Sequence, residues 1–464
     1  MEPLFGLIAA SIAASIAFLL TSERRRAQRR AWRQAAERVG LTEVEDTEGG
    51  VFEGAFLIGR AGDLRVRLEG YRRGKYEHGT KIVVTGLGHG AGGLSLRREG
   101  FSTAIEKRFI GEREIEIGDP SFDDEYYVQG RAPLALALLD PETRRRVAGL
   151  MRGRAAIPHE TGVDVDPSLS DGVLQVRVKE SGFTGNRERI PQILASVLEV
   201  GHRLVAPADV AARIASNLRT EPQAGARLQG VLMLAREFPS HPATREALLG
   251  CLGDASEDVR LRAAMALGEE GRPTLLDLVD RTGTDDSCAA RAVAALGNRL
   301  PAERAEAVLR RALGGAGRPQ TAQACLEALV LLGRTSAEGL ILEALRHEDG
   351  AVAVAAAKAL GKVGTVAAVP ALHEAMSPRG DLLRSVGRQA IAEIQARLTG
   401  AEPGQLTLAG GEAGALSLAD EAGEPGRLSL AEEAEAGVPM AGNEEEDAES
   451  APKREPKREG QTTR

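Results

Sequence analysis

Three cysteines, Cys251, Cys288 and Cys325, follow one another at intervals of 37 residues. Thiolates at a fixed interval could form a soft-metal site or carry a bilin through thioether bonds. Their settings differ, however: Cys251 precedes a loop, whereas Cys288 and Cys325 stand 9 and 8 residues before the glycine of a Leu-Gly pair. Positions out of register do not converge, so buried structural thiols in a reducing compartment are the expectation. The stretch GDPSFDDEYY offers a denser set of carboxylates in Asp119, Asp123, Asp124 and Glu125. It lacks the alternating ligand spacing and closing glutamate of a calcium loop, and Asp, Pro and Ser between strands read as a turn. GLGHGAGG, residues 86–93, has the glycines of a phosphate cradle. It has neither the Lys-Ser/Thr of a P-loop nor a following helix whose N-terminus would face an anion. His78, His89 and His159 stand apart from any second ligand at metal-binding spacing. No catalytic, cofactor-binding or metal-ligating set is expected, and the chain is not read as an enzyme.

The elements around these motifs change character along the chain. Between residues 51 and 204, LRVRLEGY (64–71), KIVVTGL (81–87), LSLRRE (94–99), EIEIGD (114–119), EYYVQG (125–130) and VLQVRVKE (173–180) are rich in β-branched residues and punctuated by glycine. Several alternate with period two, which predicts strands. Asp140 followed by Pro141 is a helix start, and a second helix is expected in RIPQILASVLEVGHRL. This segment reads as one small α+β domain.

From residue 205 the period becomes helical, and breaks every dozen or so residues divide 205–399 into about six helix pairs. Second helices end alike, in AMALGEEG, AVAALGNRL, ALVLLGRT and AKALGKVG. Glycine at the C′ position adopts a left-handed conformation without steric cost, which assigns Gly268, Gly297, Gly333 and Gly361 to chain reversal. Asp254, Ser256, Glu257 and Asp258 suit a helix start. The stretch DASEDVRLRAAMALGEEG (254–271) resembles the second helix of a HEAT repeat, of the short type found in phycobilisome-lyase-like proteins. Asp254, Val259-Arg260 and Ala266-Leu267-Gly268 carry the likeness, and GAVAVAAAKALGKVG repeats it with Ala353 where arginine would stand. The resemblance implies an all-α HEAT-type α-solenoid whose second helices hold another protein. Arg260, Arg262, Arg291, Lys358, Arg384 and Arg388 fall on those helices and would form a mildly basic partner-binding groove. The deoxyhypusine hydroxylases, which are similar in scaffold, bind iron through His-Glu dyads inside second helices. Here His347-Glu348 and His373-Glu374 lie at or near the ends of first helices instead.

Both ends of the chain are compositionally distinct. Residues 3–22 carry no charge, and 20 residues of helix span about 30 Å, one bilayer core. They are read as a transmembrane helix. Seven arginines lie between Arg24 and Arg38 in a basic juxtamembrane segment, 23–50, with Arg24, Arg25, Arg26, Arg29 and Arg30 expected to meet anionic lipid. That asymmetry predicts an N-terminus outside and the bulk of the chain in the cytoplasm. At the other end, residues 401–464 hold 15 Asp or Glu against 6 Lys or Arg and no aromatic residue. The tail from residue 400 is read as disordered and acidic. Three Leu-x-Leu copies in it, Leu406/Leu408, Leu416/Leu418 and Leu428/Leu430, are candidate docking elements that could add as strands to a partner. The remaining chain is close to neutral, so nucleic acid is not an expected partner.

The combined expectation is a multidomain chain: transmembrane helix, small α+β domain, HEAT-type solenoid and acidic tail. Its expected function is a membrane-anchored scaffold or adaptor for unidentified proteins. The alternatives are a bilin-lyase-like or metal-dependent HEAT enzyme, and a nucleic-acid tether acting through Arg24 to Arg38.

Overall fold

Alternating apolar and charged residues, as in Leu64-Arg65-Val66-Arg67-Leu68, put one row of side chains on each side of a strand. The computed structural model describes residues 23, 25–47, 55–73, 77–90, 93–98, 114–152, 165–179, 189–315, 317–376, 381–397, 406–408 and 416–418. The first part is an antiparallel sheet of strands β1 (Thr42–Thr47), β2 (Phe56–Ala61), β3 (Leu64–Arg73), β4 (Glu77–Thr85), β5 (Ser95–Arg98), β6 (Tyr126–Gln129), β7 (Val165–Ser170) and β8 (Val173–Lys179). Their order is β1-β2-β3-β4-β8-β7-β5-β6. Register sets Leu57 opposite Leu68, Leu68 opposite Ile82 and Ile82 opposite Val176, so one face carries an unbroken apolar row that is fully buried. Burying each such side chain contributes about 1.5–3 kcal/mol.

Among the described residues the helices of this part are α1 (25–39), α2 (Pro120–Asp123), α3 (Ala132–Leu138), α4 (Pro141–Met151) and α5 (Ile190–Arg203). Helix α1 buries Trp32, Ala35 and Ala36, and the Trp32 indole donates to Thr80 Oγ1 of β4 at 3.0 Å. Helix α5 approaches the same sheet through Gly201, where a Cβ would stand 3.2 Å from Leu64 Cδ1. Asp140 caps α4 by accepting the Thr143 amide at 2.7 Å, with Pro141 beginning the helix. The segment 114–119 is not a strand, contrary to its pattern. Its Ile115 amide donates to the Val128 carbonyl of β6, but its end is drawn into a turn by the Asp123 carboxylate, which accepts the amides of Ile117 and Gly118 at 3.0 and 2.7 Å.

The membrane expectation requires correction. Residues 3–22 lie outside the described residues, and among the described residues no helix is long and apolar enough to cross a membrane. The transmembrane helix, the membrane address and the lipid contacts are therefore withdrawn. Helix α1, which was expected to run beside a bilayer, spends its apolar side on the sheet. Two of its arginines, Arg29 and Arg33, pair with Asp46 of β1, and Arg26 pairs with Glu23.

Beyond α5 the chain forms helix pairs: α6 (Val210–Leu218) with α7 (Ala224–Glu237), α8 (Pro242–Cys251) with α9 (Glu257–Leu267), α10 (Arg272–Asp280) with α11 (Asp286–Leu296), α12 (Ala302–Leu313) with α13 (Pro319–Leu331), α14 (Glu338–Leu345) with α15 (Gly350–Val363), and α16 (Val369–Met376) with α17 (Asp381–Ala396). Gly268, Gly297 and Gly333 have φ of 60°, 50° and 62° after α9, α11 and α13, as the Leu-Gly endings require. Gly361 does not end its helix. It lies inside α15, where a Cβ would meet Ala390 Cα of α17 at 3.0 Å. Carboxylates stitch successive pairs together: Glu257 accepts the Asp285 amide at 2.9 Å, and Asp286 accepts the amides of Gln320 and Thr321, each at 2.9 Å. A lone pair of helices cannot bury its apolar face, so stability comes from such neighbours.

Helix α3 occupies the place of a preceding helix, packed on α6 and α7. Asn217 donates to the carbonyls of Leu136 and Ala137, both at 3.0 Å. The buried Arg144 guanidinium meets Asp119 Oδ2 at 2.9 Å and both Glu221 oxygens at 2.9 Å. Beside it, the backbones of Gly118 and Gly225 touch so closely that a Cβ on Gly118 would stand 2.4 Å from the Gly225 carbonyl carbon. The sheet part thereby caps the first helix pair.

Candidate functional site

In the fourth and fifth pairs, second helices pack more closely on their predecessors than first helices do on theirs. Large apolar side chains left exposed among the described residues are Val44, Val173, Leu232, Met265, Leu331 and Leu382. The last four lie on α7, α9, α13 and α17, all second helices. Exposed apolar groups gathered on one class of helix, with Leu331 and Leu382 lining a common groove, mark a surface for association.

Second helices α13, α15 and α17 enclose a groove of about 720 Å³. Helices α15 and α17 meet at Gly361 and Ala390, and the wedge between their N-terminal halves is walled by Val354 and Ala355 on one side and Leu382 and Val386 on the other. Leu326, Val330 and Leu331 of α13 complete the apolar wall. The ionisable lining residues, Glu327, Lys358, Lys362 and Glu393, all come from the C-terminal halves of their helices. Lys362 pairs with Glu393 at 3.3 Å.

Of the cations expected to form a basic groove, Lys358 alone lines this one. Arg260 turns back onto the loop before its own helix, donating to the carbonyls of Asp254 and Ala255 at 2.7 and 3.1 Å. Arg291 pairs with Asp258 at 3.0 Å, and Arg384 pairs with Asp381 at 3.2 Å. Arg388 donates to the Arg384 carbonyl at 3.4 Å, and Arg262 is half-buried on α9. Arg260, Arg291, Arg384 and Arg388 thus each have a partner within the chain, and Lys358 is the one of the six that lines the groove. Sequence reading missed Leu331 and Leu382. The signal was present in the run Val330-Leu331-Leu332, which holds more apolar residues than one buried stripe can use.

The other chemical motifs serve the fold. Asp119 is bonded to Arg144, Asp123 to backbone amides, and Glu125 to Arg152 and Arg98. His347 Nδ1 accepts the Asp349 amide at 3.1 Å, and His373 is exposed on α16. Among the described residues no group of three His, Cys, Asp or Glu could hold a metal ion. Cys251, Cys288 and Cys325 are buried free thiols, and burial pushes them up to about 11, 11 and 12, which leaves them protonated and inert.

The glycine-rich loop is plugged by its own histidine. His89 is buried with its Nε2 2.6 Å from the Leu204 carbonyl, and among the described residues its Nδ1 has no partner. Burial lowers its pKa, against the raising effect of the Leu204 bond. The unfolded chain thus binds a proton at higher pH than the fold does. The His89 contribution is intact above the unfolded value of 6.5 and declines as pH falls below it. Urea midpoints at pH 7.5 and 5.5 are expected to separate more in the native chain than in His89→Gln, whose amide can still donate to Leu204. Equal separations would contradict this.

Leu406–Leu408 and Leu416–Leu418 pair antiparallel, with Leu406 opposite Leu418 and Leu408 opposite Leu416. Leu428 and Leu430 lie outside the described residues. The family model for HEAT repeats matches residues 307–392, the stretch from α12 to α17 that builds the groove. HEAT repeats are in general protein-interaction modules without catalytic activity. The match extends to no lyase-like subtype. No curated protein matches the chain.

Proposed function

We propose that this HEAT-repeat chain is a scaffold that holds a protein partner against its second-helix face, with the α13–α15–α17 groove as the principal seat. The observation that carries the reading is the confinement of Leu232, Met265, Leu331 and Leu382 to second helices. Such side chains in water cost solubility and gain nothing for the fold, so burial against a partner accounts for them. Association here draws on apolar area rather than on a basic field. Lys358 contributes at the groove, and the remaining predicted cations, Arg260, Arg262, Arg291, Arg384 and Arg388, are peripheral to it. The Leu-x-Leu copies are proposed as secondary docking elements, each offering a short strand edge to the same or another partner.

Leu331 and Leu382 are 68% and 67% exposed. Replacing both with lysine is expected to leave stability within about 0.5 kcal/mol and to reduce recovery of the chain's native binding partners by tenfold or more in affinity purification of the tagged full chain. Unchanged recovery would overturn the reading.

A further inference from the structure

Resting on that reading, we infer that the groove takes an amphipathic α-helix of the partner, laid across α13, α15 and α17, with a basic and an acidic residue two turns apart facing Glu327 and Lys358. The backbone chemistry of the groove selects the class. Its walls are three α-helices, whose interior N–H and C=O groups are already paired along each helix. An extended segment entering it would find no strand edge and would leave its own amides and carbonyls without partners in an apolar space. Among the described residues no aromatic side chain lines the groove, so the stacked rings that hold a polyproline segment are missing there too. A helix arrives with its backbone satisfied and needs only an apolar stripe at i, i+3, i+4 and i+7.

The charges fix the orientation. Lys362 and Glu393 neutralise each other, whereas Glu327 and Lys358 are exposed and engage in no ion pair among the described residues. They sit at matching places on α13 and α15, the ninth residue of each helix counted from Pro319 and Gly350. Neighbouring packed helices lie about 8–10 Å apart, and seven residues of an occupant helix rise about 10.5 Å. One helix lying across the array can therefore present a Lys or Arg to Glu327 and an Asp or Glu, seven residues away, to Lys358. Its apolar residues then reach the wedge between Val354, Ala355, Leu382 and Val386.

The test is a displayed library of 18-residue peptides in two halves, one patterned as amphipathic helices and one alternating polar and apolar, panned on the full chain with A355E as the counter-target. Enrichment of helix-patterned peptides with opposite charges at i and i+7, at least tenfold weaker on A355E, supports the inference. For the winning peptide, K358E is expected to weaken binding several-fold, and exchange of the peptide's acid for lysine to restore it. Failure of the exchange to restore binding overturns the assigned orientation. Enrichment of alternating peptides alone overturns the helical occupant while leaving the groove as a docking seat. Enrichment of neither half at the groove overturns both.

Discussion

Substituting Arg144 with methionine is expected to destabilise the chain by about 3–5 kcal/mol, the cost of removing one partner from a buried ion-pair network. Arg144 is 4% exposed, and its guanidinium is surrounded by the Asp119 carboxylate, the Leu139 carbonyl and the two oxygens of Glu221. Methionine fills much of the volume but leaves two carboxylates at 8% exposure with no cation between them. Because Asp119 and Arg144 belong to the sheet part and Glu221 to the first helix pair, the loss falls on the joint between them. The sole tryptophan, Trp32, reports the sheet and the helical circular dichroism reports the repeats. In urea titrations both transitions are expected at lower denaturant than in the native chain, with the two probes separating. An unfolding free energy within about 1 kcal/mol of the native value would refute the assignment. Replacing all three charged residues by apolar ones of similar volume should recover much of the loss, since the pairing repays desolvation rather than exceeding it.

Gly118→Ala should cost about 3 kcal/mol at the same joint. Gly118 has φ of 89°, and an added Cβ would stand 2.4, 2.5 and 2.6 Å from the carbonyl carbon and oxygen of Gly225 and the Ala226 amide. These are backbone atoms at the start of α7 and cannot swing aside. Gly268→Ala is the informative control, because its φ is 60° but nothing lies within 4 Å of its Cβ position. It should lose only about 1 kcal/mol, the conformational part alone. Equal losses at the two sites in thermal unfolding would show that the Gly118 to Gly225 approach contributes nothing.

Local regularity made the repeats legible. Helix ends follow from glycine and aspartate chemistry, and both were readable at Gly268, Gly297 and Asp140. Gly361 misled because the same Leu-Gly pair that ends one helix also serves close packing inside another, a choice made by Ala390 some 30 residues later. Strands β1, β2 and β7 went unread because edge exposure, charge and Pro167 hide their period. The site was only partly legible. Charge is conspicuous in a sequence, so arginines were chosen, but Arg260, Arg291 and Arg384 are consumed by partners at sequence distances from 3 to 33 residues. Exposure of a leucine, by contrast, depends on which face of its helix the neighbours leave open, as at Leu331 and Leu382.

The most direct measurement places a photo-crosslinking residue singly at Leu331 or Leu382 on second helices and at Glu343 or His373 on first helices of the full chain, followed by irradiation in native extract. Discrete protein adducts from the two leucine positions, absent from the other two, are the predicted result. Adducts from Glu343 and His373 with none from Leu331 and Leu382 would contradict a scaffold that holds its partner on the second-helix face.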